Sequence, residues 1–401
     1  MSKARVVVTG IGIFCGAGKD IAEFTEALSN GRSGIAPLDL FDTSPFPAKI
    51  GCQIKAYRPE DYFKPTELKK LSRADQFGLI AAEQALSGSD ALKHYSPWEA
   101  GVCMGAGAAG MFQSEVWLKE LLKGIKASPS LLRGLLPDRT TTEIAERFRI
   151  CGYQSSITTA CSSSATAIGW GADLIRNGQM KCMLVGGSDT LSLLTFAGFN
   201  SLKVVDSTPC SPFSLGRQGI SLGEGAACLV LEDETTALER GATIYGSIHG
   251  YGIAGEAFHM TAPEPTGSTA CRVMRAAMRM AEVTQEQIGW VNAHGTGTPL
   301  NDVVESNAIK MVFGEQAGKV PLISTKAMTG HCLGAAGAIE ALATLIALKA
   351  GFIPQTLNFR GKDPECNLDY CHHQKKTSDA ELAISNSFAF GGNITSLVVG
   401  K

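Results

Sequence analysis

The stretch Thr159-Ala160-Cys161-Ser162-Ser163-Ser164-Ala165-Thr166-Ala167 decides how this chain is read, because it carries a thiol through a turn into a helix of small residues. From Ser163 to Asn177 that helix holds Gly169 and Gly171 and few charges. A surface helix keeps a charged face, so this one is expected to be buried all round. A second such helix spans Ala335–Leu348, also follows a reactive-looking turn, and also ends at a glycine (Gly351, as Gly178 ends the first). The likeness hints at two related halves, 1–245 and 246–401, divided near Glu239–Gly250. Around them run short β-branched segments: Arg5–Ile11, Ala100–Met104, Cys182–Gly186, Ala226–Leu231, Gly289–Asn292, Leu322–Ser324, Ala383–Phe388 and Thr395–Val399. They alternate with helical patterns at Asp20–Ser29, Leu68–Ser87, Thr141–Arg147, Gly267–Ala281 and Asp302–Phe313. This alternation predicts an α/β fold of parallel layers. The opening RVVVTGIGI (Arg5–Ile13) reads as a buried strand followed by a glycine turn.

A chain of 401 residues exceeds a usual single domain. With 44% hydrophobic and 18% charged residues it suits a large core and a buried subunit interface. A net charge of −2 gives no case for nucleic acid. No apolar run is long enough to span a bilayer and no basic-then-apolar leader opens the chain, so a soluble, cytoplasmic protein is expected. The twelve cysteines are scattered singly and are expected to be reduced. Cys366, Cys371, His372 and His373 lack zinc-site spacing and are expected in a surface loop beside Lys375 and Lys376.

Cys161 stands apart from the other cysteines by its turn-then-helix setting. A helix start presents unpaired N–H groups and the positive end of the dipole. A free thiol titrates near ~8.5 and such sites lower this value, so a nucleophile that needs no metal is expected. Downstream lie Asn292-Ala293-His294-Gly295-Thr296-Gly297-Thr298 and Lys326-Ala327-Met328-Thr329-Gly330-His331. His294 follows a buried strand, where α/β sites form. Gly295 and Gly297 permit close substrate approach, and Thr296 and Thr298 offer hydroxyls for a polar arm. Two neutral imidazoles, His294 and His331, would donate N–H bonds to an oxygen gaining charge. Lys326 needs a carboxylate, with Glu340 on the next helix as partner, and its charge would keep His331 neutral. One thiol, two imidazoles and an ammonium point to acyl chemistry on a thioester. His94, His249, His372 and His373 read as structural and His259 as intermediate. Asp302 and Glu305 read as a solvated edge or a charge network.

Gly105-Ala-Gly-Ala-Ala-Gly110 tempts a dinucleotide reading, but no acidic residue ends a following strand at the needed distance, and a pocket wall fits better. Phe388-Ala389-Phe390-Gly391-Gly392-Asn393 reads as a flexible turn whose N–H groups would complete an oxyanion hole with that of Cys161.

Together the Cys161 turn, AHGTGT (293–298), KAMTGH (326–331) and SFAFGG (387–392) resemble the β-ketoacyl-acyl-carrier-protein synthases, the elongating KAS II-like group above all. The resemblance covers essentially the whole chain. It implies a thiolase-like fold with duplicated halves in a five-layered αβαβα core, as a dimer. It further implies that Cys161 accepts an acyl group from acyl carrier protein, and that His294 and His331 hold the malonyl thioester and promote its decarboxylation. Phe390 would be gate and oxyanion donor, Thr296 and Thr298 would hold the phosphopantetheine arm, and Phe388, Gly391 and Gly392 would line the substrate path. No cofactor or metal is implied beyond the carrier's own arm.

Three departures from the family pattern stand out. Ser211-Pro212-Phe213-Ser214…Arg217-Gln218-Gly219 lacks two usual acids. Ala389 and Asn393-Ile394 alter the C-terminal turn. Ala108 stands where a bulky residue closes the acyl pocket, implying a deeper tunnel. These suggest a specialised polyketide or polyene pathway. Chain-length-factor subunits share the fold but lack the nucleophile, so this chain would be the active half if the assembly is a heterodimer. Initiating synthases have asparagine at His331 and thiolases use a second cysteine; both are disfavoured. Lys69, Lys70 and Arg73 are candidates for carrier docking.

Overall fold

The strand order of the chain repeats itself. The computed structural model describes residues 5–401. Strands β1 (Val6–Cys15), β2 (Ala100–Gly105), β3 (Gln154–Ile157), β4 (Cys182–Asp189) and β5 (Gly225–Asp233) lie in the order β1-β5-β4-β2-β3. Strands β6 (Gly246–Gly255), β7 (Ile288–Asn292), β8 (Leu322–Ile323), β9 (Leu382–Phe388) and β10 (Asn393–Gly400) follow as β6-β10-β9-β7-β8. Adding five to each label of the first set gives the second. The two sets join edge to edge where Val6–Val8 pair with Gly246–Ile248.

The layers are not all parallel. In each half the strand β5 or β10 runs against its neighbours, while the others share one direction. In the second half the reason is connectivity: β9 and β10 are joined by the short turn 389–392, which permits only antiparallel pairing. The opening strand also runs further than its glycines suggest. β1 continues through Gly10 and Gly12, where a Cβ would meet Ala85 O at 2.2 Å and Ala81 O at 2.0 Å. Those glycines are pressed against a helix and make no turn.

The helices used below are α1 (Ile21–Asn30), α2 (Arg73–Ser89), α3 (Met111–Leu122), α4 (Arg139–Phe148), α5 (Ser163–Arg176), α6 (Leu193–Ser201), α7 (Ser268–Ala281), α8 (Pro299–Phe313) and α9 (Ala336–Ala350). α2 and α4 cover the outer face of the first sheet, and α7, with α8 against it, the second. Between the sheets α5 and α9 pack on each other and touch strands of both halves, giving five layers. Leu333–Ala350 is long and apolar enough to cross a membrane, but it is core: Ala336 to Leu348 are all buried. Close packing needs small residues, and at Gly337 a Cβ would meet that of Ala165 at 2.7 Å.

Sequence reading missed β3, which is polar and only half-buried, and β6, whose Gly250 and Gly252 weaken any strand signal. α7 crosses so close that a Cβ at Gly252 would meet Val273 O at 2.2 Å.

A thiol and two imidazoles at the strand ends

The ends of β7 and β9 and the turns after β3 and β8 converge on one cavity, the place where α/β folds build sites. After β3 the chain turns at Ala160, whose φ of 49° is unusual for a residue with a side chain. Cys161 follows in a 3₁₀ turn leading into α5. The turn is pinned by Ser163 Oγ, which accepts from Thr159 N at 2.9 Å and donates to Ala106 O at 3.2 Å. The start of α5 can sink this deep only because its neighbours are glycine: a Cβ on Gly105 would meet Ser164 N at 2.2 Å. Cys161 is 7% exposed and lines the cavity.

The expected depression of its pKa is overturned. Burial pushes the Cys161 thiol up to about 11, against the pull of the Lys326 charge and an N–H bond from Phe390. The nearby carboxylates Asp189 and Glu340 push the same way as burial.

His294 and His331 face each other edge to face, ring centres 5.4 Å apart. Lys326 Nζ donates to His294 Nδ1 at 3.2 Å, and Leu333 N–H donates to His331 Nδ1 at 3.0 Å. With each Nδ1 an acceptor, both ring protons sit on Nε2. Burial first, and then the Lys326 charge, hold both imidazoles well below the usual histidine range, so they are neutral donors at pH 7. Lys326 is itself buried and ion-pairs with Glu340 of α9. Burial raises the Glu340 carboxyl to about 7 and Lys326 lowers it.

Glu305, fully buried on α8, accepts from His294 N and Gly295 N, both at 2.9 Å, and from Asn386 Nδ2 at 3.0 Å. It is no solvated edge; it holds the histidine turn. Asp302 accepts from Phe213 N at 2.7 Å and Gly297 N at 3.2 Å and faces Arg217, which also pairs with Asp363. Arg217 thus keeps two acidic partners although residues 214 and 218 are Ser and Gln.

The cavity holds about 270 Å³. Cys161, His294, His331, Thr296, Thr298, Phe388, Phe390, Gly391 and Gly392 all line it. Thr296 and Thr298 hydroxyls lie 2.9 Å apart, and Phe390 stacks on Phe199 at 5.6 Å. Residues the sequence did not single out complete the wall: Phe199, Val204, Ile220, Glu256 and Leu300. The mouth is tied by Gly391 N–H to Met260 O at 2.7 Å, which puts His259 on the wall as well.

Other placements differ from expectation. Ala108 does not line the cavity; it packs in an apolar cluster with Leu191, Phe196 and Leu333, which adjoins the cavity through Phe199. Arg73 is no docking residue: it pairs with buried Glu224 and lies over Tyr57 and Phe77, while Lys69 and Lys70 are exposed. Cys366 and Cys371 are buried rather than in a surface loop, and His372 stacks on Phe359 at 4.2 Å. Among the described residues no group of three His, Cys, Asp or Glu is placed to hold a metal. The Gly105–Gly110 turn has no free amides for a dinucleotide phosphate at 107–109, since Asp189 takes them.

Family models of the N-terminal and C-terminal domains of beta-ketoacyl synthases match residues 3–237 and 245–360. A 3-oxoacyl-[acyl-carrier-protein] synthase 2 of Synechocystis sp. is 36% identical, over 100% of this chain and 99% of the relative. One of Staphylococcus aureus is 35% identical, over 99% and 98%. Among solved structures, the ishigamide ketosynthase/chain length factor superposes with a TM-score of 0.95 at 35% identity, covering 100% of each chain. A ketosynthase in complex with its chain length factor from Xenorhabdus doucetiae gives 0.87 at 31%, covering 99% and 98%.

Proposed function

The chain belongs to the beta-ketoacyl synthase family, and from that premise we propose how its own residues carry out the condensation. The enzyme is a condensing acyltransferase that extends a Cys161-bound acyl chain with the two-carbon unit of malonyl-acyl carrier protein. In the first half, the Cys161 sulfur attacks the acyl thioester of a carrier's phosphopantetheine. A carbon–sulfur bond forms on Cys161, the other breaks, and the thiol proton leaves with the freed carrier thiol. The tetrahedral oxygen is held by the N–H groups of Cys161 and Phe390.

In the second half the malonyl thioester takes the carrier's place, its arm along Thr296 and Thr298 between Phe388, Gly391 and Gly392. Its carboxylate carbon leaves as CO2, and the bonding pair stays on the α-carbon as an enolate. The enolate oxygen accepts from Nε2–H of His294 and His331. The α-carbon then attacks the Cys161 thioester, and sulfur leaves as thiolate and regains a proton from solvent. The observation that carries this reading is the pair of buried neutral imidazoles, each with its Nδ1 already bonded. Lys326, paired with Glu340, keeps them neutral without donating a proton. The N-terminal half, 1–245, supplies the nucleophile, and 246–401 the imidazoles. No metal or redox cofactor enters a step, and the reaction belongs in the cytoplasm.

The assembly reading is a homodimer or a heterodimer with a chain-length-factor-like subunit, in polyketide-type rather than housekeeping fatty acid synthesis. It is supported by the likeness to solved ketosynthase/chain length factor pairs and by α3, a twelve-residue helix rich in apolar side chains that buries only Ser114 within its own chain. The test is intact mass after incubation with a series of acyl-carrier proteins, beside Cys161→Ala. A thioester adduct on the native chain alone supports the reading, and the favoured acyl group identifies the pathway. No adduct with any donor, with or without a partner subunit, overturns it.

A further inference from the structure

Asp189, at the end of β4, stands outside the reaction just described, yet it is fully buried beside it. Its carboxylate accepts four backbone N–H bonds. Oδ1 takes Ala108 N at 2.8 Å and Ala109 N at 2.6 Å; Oδ2 takes Gly107 N at 2.7 Å and Gly334 N at 2.6 Å. Three donors belong to the 106–110 turn after β2, and the fourth to the turn between His331 and α9. Both turns are bent to reach it: Ala109 has φ 45° and Leu333 φ 50°. Two glycines make room for it, since a Cβ on Gly107 would meet Asp189 Oδ2 at 2.9 Å, and one on Gly334 would meet it at 2.7 Å. A buried carboxylate is costly unless its lone pairs are filled, and here all are.

The residue next to Gly334 is Leu333, whose N–H fills His331 Nδ1. We infer that Asp189 is a positioning residue: by clamping Gly334 to the 107–109 turn it holds the Leu333 N–H on His331 Nδ1, and so keeps the His331 proton on Nε2. This rests on the reading of His331 as an Nε2–H donor to the malonyl-derived oxygen. His294 is set by other bonds, from Lys326 and Glu305, and the Cys161 turn meets the clamp only at second hand, through Ser163 Oγ on Ala106 O. The clamp therefore bears directly on the malonyl half of the reaction and only indirectly on the acylation half. Asparagine has the same shape, but its amide offers one acceptor oxygen and puts two N–H donors against N–H donors.

The test measures the two halves separately in Asp189→Asn and Asp189→Glu, with nitrogen-15 NMR of the histidine side chains. In D189N, malonyl turnover should fall by about tenfold or more, in line with small misplacements of catalytic groups, while the rate of acyl adduct formation on Cys161 changes by a clearly smaller factor. The His331 signals should leave the Nε2–H pattern while those of His294 keep it. D189E, which retains four acceptor sites on a longer stem, should lie between native protein and D189N in every readout. If D189N does not fold, the same split and His331 signature in D189E decide the matter. Equal loss of both halves, or unchanged His331 signals, overturns the assignment of Asp189. A native chain that forms no acyl adduct overturns the proposed function instead, while the NMR arm still tests the clamp.

Discussion

At the scale of single residues, the thiol and its neighbours pull in opposite directions. A helix start favours thiolate, but desolvation opposes it, and at Cys161 desolvation wins, leaving the thiol at about 11. Only thiolate attacks, and below the pKa its fraction rises about tenfold per pH unit. Alkylation of Cys161 by iodoacetamide should therefore keep accelerating from pH 7 to 10. Intact mass in a Cys151→Ser background, needed because Cys151 is exposed, gives the rates. A plateau near pH 8 would show that the helix start prevails. Cys161, His294, His331 and Lys326 were legible in the sequence because reactive side chains sit in runs of Gly, Ala, Ser and Thr. Glu305 and Asp189 were not, for a physical reason. Their partners are mostly backbone amides, which carry no letter, and in Asp189 those amides come from segments 80 and 145 residues away.

At the scale of elements, the Lys326–Glu340 pair ties the turn after β8 to α9. Breaking a buried pair from one side leaves an uncompensated charge and costs about 3–5 kcal/mol. Lys326→Met should destabilise the protein by that order in urea titrations, and K326M/E340L should recover most of it. The pH dependence follows from the Glu340 carboxyl, already raised by burial to about 7 from 4.5. Without Lys326 it rises further. A carboxyl whose folded pKa exceeds its unfolded one loses stability as pH climbs from the unfolded value through the folded one. The K326M penalty should thus be small near pH 5 and grow toward pH 8; a penalty independent of pH would place the loss in packing. The α5–α9 crossing gives a second test. At Gly337 an added methyl would meet Ala165 and the Ser387 hydroxyl, at 2.9 Å. Overpacking of this kind costs about 1–3 kcal/mol, so Gly337→Ala should lower Tm and slow acylation together. The sequence announced both central helices because they lack a charged face. β6 escaped notice because the glycines that let α7 approach also erase the alternation of a strand.

At the scale of the whole molecule, the chain shows one apolar face that its own fold leaves open. α3 (MFQSEVWLKELL) is rich in apolar residues, yet Leu118 and Leu121 are exposed and Leu122 is 77% exposed, with Ile125 just beyond. Leu135 and Leu136 on the following segment extend the patch. Contiguous apolar surface of this kind marks an interaction site. The neighbouring segment matters to the reaction, because Gly134 O accepts the Gly110 N–H at 2.8 Å and so braces the 106–110 turn that Asp189 holds from the other side. A subunit seated on α3 would stiffen that turn, and assembly and activity should fail together. Leu118→Glu with Leu122→Glu places two charges in the patch while touching no buried residue, so the fold should survive with unchanged circular dichroism. In sedimentation the native chain should run as a dimer, and L118E/L122E at the 42.2 kDa of one chain with weakened condensation. A native chain that is monomeric alone but pairs with a chain-length-factor-like subunit puts the same face against that partner, and the double variant should break that complex too. A double variant that assembles like the native chain would show that the subunit contact lies elsewhere, and that α3 is exposed for another reason.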